Sequence, residues 1–466
     1  MSTSPPDVIV VVLDTARRDR FGCYGYERQT TPTVDALAEE GVRYDNVTTS
    51  APWTVPAHAS LFTGLYPSEH GAQWKDGLHM RKNVEVTMAE WLRDRGYATV
   101  CATNNGLISY TTGLARGFDH YGSRLDLERG WPRVSRRVTK ALVGGDSGGA
   151  ITNKWLAKTL PDIEGPLFLF VNYLECHWSY VPPPRFVRQV EGPRFGPLEG
   201  LRYRLGTARG GPWEAIARGN KREHEIYSAL YDAELANVDH HLSKLLAILR
   251  ACGRMRHNQT LLLVTSDHGE HIGDHGLADH HASVSETLTS IPFVVWGPGQ
   301  VQPGIVKEPF EFTDVFPSVS RFLNGGAPAD YLQTRRDHLL TDPHRPGGKR
   351  TRFSEWHSWN DKERTRLARR NPSFDFSGLG CDLAAVRNDR FKLVRAAGQG
   401  ERLFDLEDDP GEERDVADVF PDERRHLASV LTDAQESWGN WDAQRQPLSE
   451  RDEAELEERL AALGYI

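Results

Sequence analysis

Unbroken apolar runs alternate along this chain with amphipathic segments. Asp7 to Leu13 (DVIVVVL), Pro166 to Leu174, Thr260 to Thr265 and Ile291 to Trp296 are such runs, and Ala98 to Ala102 is a shorter one. They lack a polar residue at every second place, as expected of strands covered on both faces of a parallel sheet. Thr33 to Glu40, stopped by Gly41, and Val86 to Arg95, stopped by Gly96, read as short amphipathic helices. Glu223 to Leu249 predicts a long helix, with Ile226, Leu230, Ala233, Val238, Leu242, Leu245 and Leu249 at helical spacing. This alternation predicts an α/β fold whose central sheet is mixed, mostly parallel and flanked by helices.

Three stretches break the rhythm. Residues 122–150 read as a polar insertion, 182–220 as a long surface loop, and 324–352 as a boundary rich in Gly, Pro, Arg and Asp. Beyond it, Ala384 to Arg395 and Leu403 to Leu406 predict a small antiparallel sheet. Ser449 to Leu463 predicts a closing helix with the stripe Leu456, Leu460 and Leu463. The expected division is a large domain over 1–345 and a smaller α+β unit over 346–466.

In SAPWTVPAHASLFTGLYPSEHG, residues 50–71, Pro56 suits the first turn of a helix and Thr54 suits its N-cap. That would set the Thr54 hydroxyl at the positive end of a helix dipole, where an anion is favoured. Taken alone, the pattern is also that of an ordinary capping threonine.

Composition narrows the class. With 466 residues, 39% of them hydrophobic, the chain can bury a large core. A net charge of −9 and the absence of a basic stripe exclude a nucleic-acid footprint. The five cysteines are scattered and lack CxxC spacing, which predicts a reducing compartment and neither a disulfide framework nor a cysteine zinc site. The N-terminus has no basic and apolar leader pattern, and no apolar run approaches ~20 residues. The expected location is cytoplasmic, with no transmembrane segment.

Three apolar strands end in polar groups: Asp14, then Glu175 and His177, then Asp267 and His268. The carboxyl ends of parallel strands share one edge, where α/β proteins place their sites. Asp14, Asp267, His268 and the Thr54 hydroxyl together suit one divalent cation, Mg²⁺, Mn²⁺, Ca²⁺ or Zn²⁺. A cation beside Thr54 would make its hydroxyl a nucleophile. Singly, each of these residues also has a structural reading as a helix cap or a satisfied buried histidine.

The chain resembles the sulfatase family of the alkaline phosphatase superfamily. The resemblance is carried by Asp14 with Arg18, Asp19, Gly22 and Tyr24-Gly25, by TTPTVDALAEEGVRYDNVTTSAPWTVPAHASLFTGLYP, by TSDHGEHIGDHG and by SETLTSIPFVVWGPG. AAVRNDRFKLVR and LFDLEDDPGEERDVA extend it to about Val416. It implies an alkaline phosphatase-like large domain with a small C-terminal antiparallel sheet and helix. It implies Asp14, Thr54, Asp267 and His268 as metal ligands, Thr54 as nucleophile, and His177 as a substrate-side histidine. His281 falls near the lysine that protonates the leaving group in relatives, while His271, His275 and His280 read as solvated loop histidines.

The chain also departs from the family pattern. Where sulfatases carry CxPxR, with the Cys or Ser oxidised to formylglycine, Thr54-Val55-Pro56-Ala57-His58 stands here. His58 replaces the arginine, Thr15 stands in the acidic pair of the first strand, and Asn104 and Asn105 occupy the sulfate-binding GKWH segment. His58, Asn104 and Asn105 are therefore the expected substrate contacts. The implied activity is metal-dependent cleavage of a small anionic sulfate or phosphate ester, such as one carried on a glycan or lipid head group. Phosphorus is favoured, because a Thr adduct cannot collapse to an aldehyde as formylglycine does. Transfer of phosphoethanolamine or phosphoglycerol groups, and a pseudoenzyme that only binds anions, are the alternative readings. The Asp-x-x-x-His set of two-metal phosphodiesterases is not found around His177, so one metal is expected.

Overall fold

A computed structural model describes residues 5–463 apart from 75–77, 82–83, 128–144, 146, 191–202, 204–211, 258, 298–302, 325–349 and 439–448. Eight strands form one sheet: β1 (Asp7–Leu13), β2 (Val42–Tyr44), β3 (Ala98–Thr103), β4 (His120–Ser123), β5 (Leu167–Tyr173), β6 (Thr260–Thr265), β7 (Phe293–Trp296) and β8 (Gly304–Val306). Their order is β8-β2-β7-β6-β1-β5-β3-β4. β1 lies at the centre, parallel to β5 and β6, and only β7 runs against its neighbours. Every residue of β1, β5 and β6 is buried, which is why their sequences carry no alternation. Each Val, Ile or Leu fully removed from water there contributes about 1.5–3 kcal/mol.

Register places the chemistry. Val12 of β1 sits opposite Asn172 of β5 and Thr265 of β6. The residues that follow these strands, Asp14, Glu175 to His177, and Asp267 to His268, therefore leave the sheet at one edge.

A second sheet of four antiparallel strands, β9 (Arg352–Trp356), β10 (Leu383–Arg387), β11 (Phe391–Ala396) and β12 (Gly400–Asp405), packs beside the first. Alternation is clear here. Trp356, Ala385, Val394 and Phe404 join the large core, while Ala384, Val386, Phe391, Leu393 and Leu403 form a separate cluster with Leu427 and Leu431. Those two leucines lie on the helix Pro421–Ser437, which sequence pattern did not reveal. The expected closing helix forms as Glu450–Leu463, but it does not cover the small sheet. Its Leu456 and Leu460 pack into the large core, and Arg459 Nη1 donates to the Gly106 carbonyl at 3.0 Å.

The expected boundary near 345, most of the 324–352 segment, and the larger parts of the 122–150 and 182–220 segments lie outside the described residues. Their described parts include the helices Arg124–Leu127, Gly149–Thr159, Pro184–Gln189 and Pro212–Arg218. Among the described residues, no helix is long and apolar enough to cross a membrane. The five cysteines are unpaired.

Candidate active site

The site is built where β1, β3, β5 and β6 end beside a buried helix. That helix, Thr54–Thr63, is buried at every residue and closes at Gly64, whose φ of 73° lets its N–H return to the Ser60 carbonyl. Thr54 is the first helical residue and Trp53 the N-cap, with no side-chain capping bond. This corrects the expectation of a capping threonine. The capping acceptor of Thr54 would need an N–H two or three residues on; Pro56 has none, and Ala57 N–H already bonds the Trp53 carbonyl at 3.2 Å.

The Thr54 hydroxyl is instead held from β3. Asn105 Nδ2 donates to Thr54 Oγ1 at 3.2 Å and to Asp14 Oδ2 at 2.9 Å. Asn105 Oδ1 accepts from Leu107 N–H at 3.0 Å, so the amide can point only one way. Asn172 Nδ2 donates to the same Asp14 oxygen at 3.0 Å. Sequence reasoning passed over Asn172; its signal was a lone amide near the end of an otherwise apolar run, LFLFVNY.

Past Asp14 the chain turns sharply. Thr15 has φ 59°, a left-handed conformation costly for a β-branched residue. Three bonds hold it there: Thr15 N–H to Asp267 Oδ1 at 3.2 Å, Ala16 N–H to Ser266 Oγ at 3.0 Å, and the Tyr231 hydroxyl to the Thr15 carbonyl at 2.6 Å. Tyr231 comes from the long helix Lys221–Ala251.

Asp14, Asp267 and His268 are fully buried, and one ligand atom from each lies within 4.8 Å of the others. The His268 Nδ1–H donates to the Gly269 carbonyl at 2.9 Å, which leaves Nε2 with a lone pair. That lone pair faces Asp267 Oδ2 at 3.2 Å. Asp14 Oδ1, Asp267 Oδ2 and His268 Nε2 have no hydrogen-bond partner. Three buried electron-rich atoms gathered in this way fit a divalent cation with oxygen and imidazole ligands. Gly269 is needed for the close approach, since a Cβ there would lie 1.9 Å from the Thr287 carbonyl oxygen.

The other expected residues divide. His58 is buried on the helix Thr54–Thr63, its Nδ1 2.8 Å from the Thr54 carbonyl and 3.5 Å from Asp267 Oδ2. It packs edge-on against Phe170, beside the Asp267 carboxylate. Asn104 turns away to accept from the Thr152 hydroxyl at 2.6 Å. Glu175 also turns away, accepting Ser147 and Gly149 N–H groups at the start of the helix Gly149–Thr159. His177, 6% exposed, points Nδ1 at the Trp178 carbonyl, and its ring lies 5.1 Å from that of His280.

His280 and His271 are buried, not solvated; of the three loop histidines only His275 is partly open to water. His280 sits 4.5 Å, ring to ring, from both His268 and His281, with Nδ1 2.8 Å from Asp279 Oδ1 and 3.4 Å from Glu270 Oε1. Asp279, His280 and His281 form a second group whose ligand atoms lie within 4.8 Å of one another. Asp279 and Ala282, which bracket the two histidines, both have positive φ, 67° and 58°. Burial would raise Asp279, but His280 and His281 hold it well below the usual range. His281 is pushed down to about 4 by burial, against the pull of Asp279, and its ring lies among Trp53, Trp74, Trp356 and Trp359.

Similarity to known proteins extends over most of the chain. The family model described as Sulfatase matches residues 6–325. An arylsulfatase of Clostridium perfringens is 23% identical, over 87% of this chain and 89% of that protein. The crystal structure of a phosphonate monoester hydrolase of Agrobacterium radiobacter superposes with a TM-score of 0.71 at 21% identity, covering 96% of this chain and 98% of the other. A 2-O GAG sulfatase structure superposes at 0.68 and 18% identity, covering 96% of each chain. At these identities the structural likeness speaks for the fold.

Proposed function

The chain belongs to the sulfatase family, and from that premise we propose that it hydrolyses a phosphorus ester, with Thr54 as the nucleophile. The observation that carries this reading is the Asn105 amide, which ties Thr54 Oγ1 to the ligand carboxylate of Asp14. A divalent cation held by Asp14, Asp267 and His268 would acidify the Thr54 hydroxyl and offset charge on the ester oxygens. Thr54 Oγ1 bonds to phosphorus as its proton passes to the neutral ring of His177 or His281, and the ester oxygen leaves with that proton. Water then gives a proton to the same ring as it attacks phosphorus, and the freed Thr54 Oγ1 takes that proton back. An unmodified threonine has no second hydroxyl through which to expel sulfate as an aldehyde-forming formylglycine does, so attack at the central atom must release the product. A phosphonate hydrolase among the structural neighbours is consistent with such chemistry on this fold.

In this reading the cation is Mg²⁺, Mn²⁺, Ca²⁺ or Zn²⁺, and the unit beyond residue 345 supports the site through its ion pairs and its last helix. The unpaired cysteines suit a reducing compartment. The test is a panel of p-nitrophenyl sulfate, phosphate monoester, phosphodiester and phosphonate monoester, with and without Thr54→Ala. The phosphorus esters should turn over faster than the sulfate, and the substitution should remove at least ~10³-fold of the rate. Sulfate turnover that survives it would overturn the assignment, and no turnover at all with a metal-free protein would favour an anion-binding role.

A further inference from the structure

We propose that His280 is a further ligand of the cation, so that two imidazoles join two carboxylates and the site selects a borderline ion such as Zn²⁺ over Ca²⁺. This rests on the reading of Asp14, Asp267 and His268 as ligands.

A short hairpin brings His280 to the site. The two-residue strands His271–Ile272 and Ala278–Asp279 pair antiparallel, with His271 opposite Asp279. The chain that leaves β6 through His268 thereby folds back beside it. The fully buried His280 ring comes to rest 4.5 Å from the His268 ring, with the planes 39° apart. Rings this close can meet one ion, since zinc–nitrogen bonds are about 2.0–2.1 Å long.

Asp279 sets the orientation. Its Oδ1 receives the His280 backbone N–H at 2.8 Å, and lies 2.8 Å from His280 Nδ1 and 3.2 Å from His281 Nδ1. Glu270 Oε1 adds a second carboxylate, 3.4 Å from His280 Nδ1. Two carboxylates on Nδ1 keep the proton there, which makes Nε2 the nitrogen with the lone pair. Metal-bound histidines are held in this way: a carboxylate on the other nitrogen fixes the tautomer and strengthens the ring as a ligand. His268 has the same arrangement in weaker form, with Nδ1 on the Gly269 carbonyl at 2.9 Å. Asp279 holds it from left-handed backbone, φ 67°, a conformation that costs about 1–3 kcal/mol and persists where surrounding contacts impose it.

Charge favours the same assignment. Asp14, Asp267, Glu270 and Asp279 are all buried, and Glu270 Oε2 has no hydrogen-bond partner. Buried carboxylates need cations. An imidazole on the ion carries part of its charge to Glu270 and Asp279, which a merely packed neutral ring would not do. A second ion among Asp279, His280 and His281 is the rival reading. It would have to displace the three nitrogens already gathered on Asp279 Oδ1.

The test is electron spin-echo spectroscopy of the full chain loaded with Mn²⁺, which counts the imidazoles on the ion. Two are expected in the native protein, and one in each of His280→Gln and His268→Gln. A single imidazole in the native protein, removed by His268→Gln, would overturn the role of His280 and leave the other ligands standing. No imidazole, or a signal that neither substitution alters, would refute the ligand set and this proposal with it. Calorimetric titration of the chelated protein with Zn²⁺ or Ca²⁺ alone is the second readout. Both His280→Gln and Asp279→Asn should weaken Zn²⁺ at least about tenfold and Ca²⁺ much less. Equal losses for the two ions, unchanged Zn²⁺ affinity, or two ions bound per chain would overturn the proposal.

Discussion

Asn105 Nδ2 lies 3.2 Å from Thr54 Oγ1 while donating at 2.9 Å to Asp14 Oδ2. One amide thus fixes the distance between the Thr54 hydroxyl and the Asp14 carboxylate, 40 residues apart in the chain. Replacing Asn105 by Ala leaves Asp14, Asp267 and His268 in place but frees the hydroxyl to rotate. The expected result is a fall in kcat of about 10²-fold, in the range seen when a preorganised donor is removed, with bound metal unchanged. Steady-state kinetics alongside metal analysis checks it. Loss of metal together with activity would mean that Asn105 serves the ligand and not the nucleophile.

The cation should contribute to stability. Without it, the His268 Nε2 lone pair faces the Asp267 carboxylate at 3.2 Å inside the protein. A ligand at 100 times its Kd adds about 2.7 kcal/mol to the folded state. Melting the protein after chelation, and again with Mg²⁺, Mn²⁺, Ca²⁺ or Zn²⁺ restored, should show a reversible rise in Tm for at least one ion. Asp267→Asn should abolish that rise. An ion-dependent Tm that persists in this variant would place the cation elsewhere.

What could be read from the chain follows from how each element is stabilised. β1 and β6 appear at their expected ends because both faces are covered and every position had to be apolar. The helix Pro421–Ser437 escaped notice because it buries only Leu427 and Leu431 against a small sheet, too sparse a stripe to stand out. Asp14, Asp267 and His268 were legible because they directly follow strands. His280 was not, since its burial depends on a loop folding back against His268, and nothing local in DHGLADHHAS reports that contact. The assignment of Asn104 beside Asn105 failed because past the strand end its Oδ1 accepts from the Thr152 hydroxyl, and only Asn105 reaches Thr54.

The small sheet is tied to the site by a buried cation. Lys392 of β11 is 1% exposed and lies 3.0 Å from both Glu286 Oε1 and Glu412 Oε1. Glu286 opens the turn of helix that follows the His280 loop. Burial would raise its carboxyl, but Arg387 and then Lys392 bring it down to about 2. Lys392→Met should leave two buried carboxylates short of a partner and cost about 3 kcal/mol, as for other broken buried pairs. The urea midpoint reports this; a change under about 1 kcal/mol would show that Arg387 alone satisfies the cluster.

His70 should make the fold acid-sensitive. Its Nδ1 accepts from Ala72 N–H at 3.1 Å and its Nε2 lies 3.1 Å from the Ser60 hydroxyl, so the buried ring is neutral, with its proton on Nε2. Protonating Nδ1 would set two N–H groups against each other. Burial first, then the nearby Arg81 charge, pushes the ring down from 6.5 to about 3. The unfolded chain therefore binds a proton that the folded chain refuses. Stability from this group is complete above pH 6.5 and falls as the pH drops towards 3. At about 1.4 kcal/mol per unit, the loss at pH 5 is about 2 kcal/mol. Urea unfolding of the native protein and of His70→Gln across this range should show about one fewer proton taken up on unfolding in the variant. Equal proton uptake in both would mean that another buried group governs the acid transition.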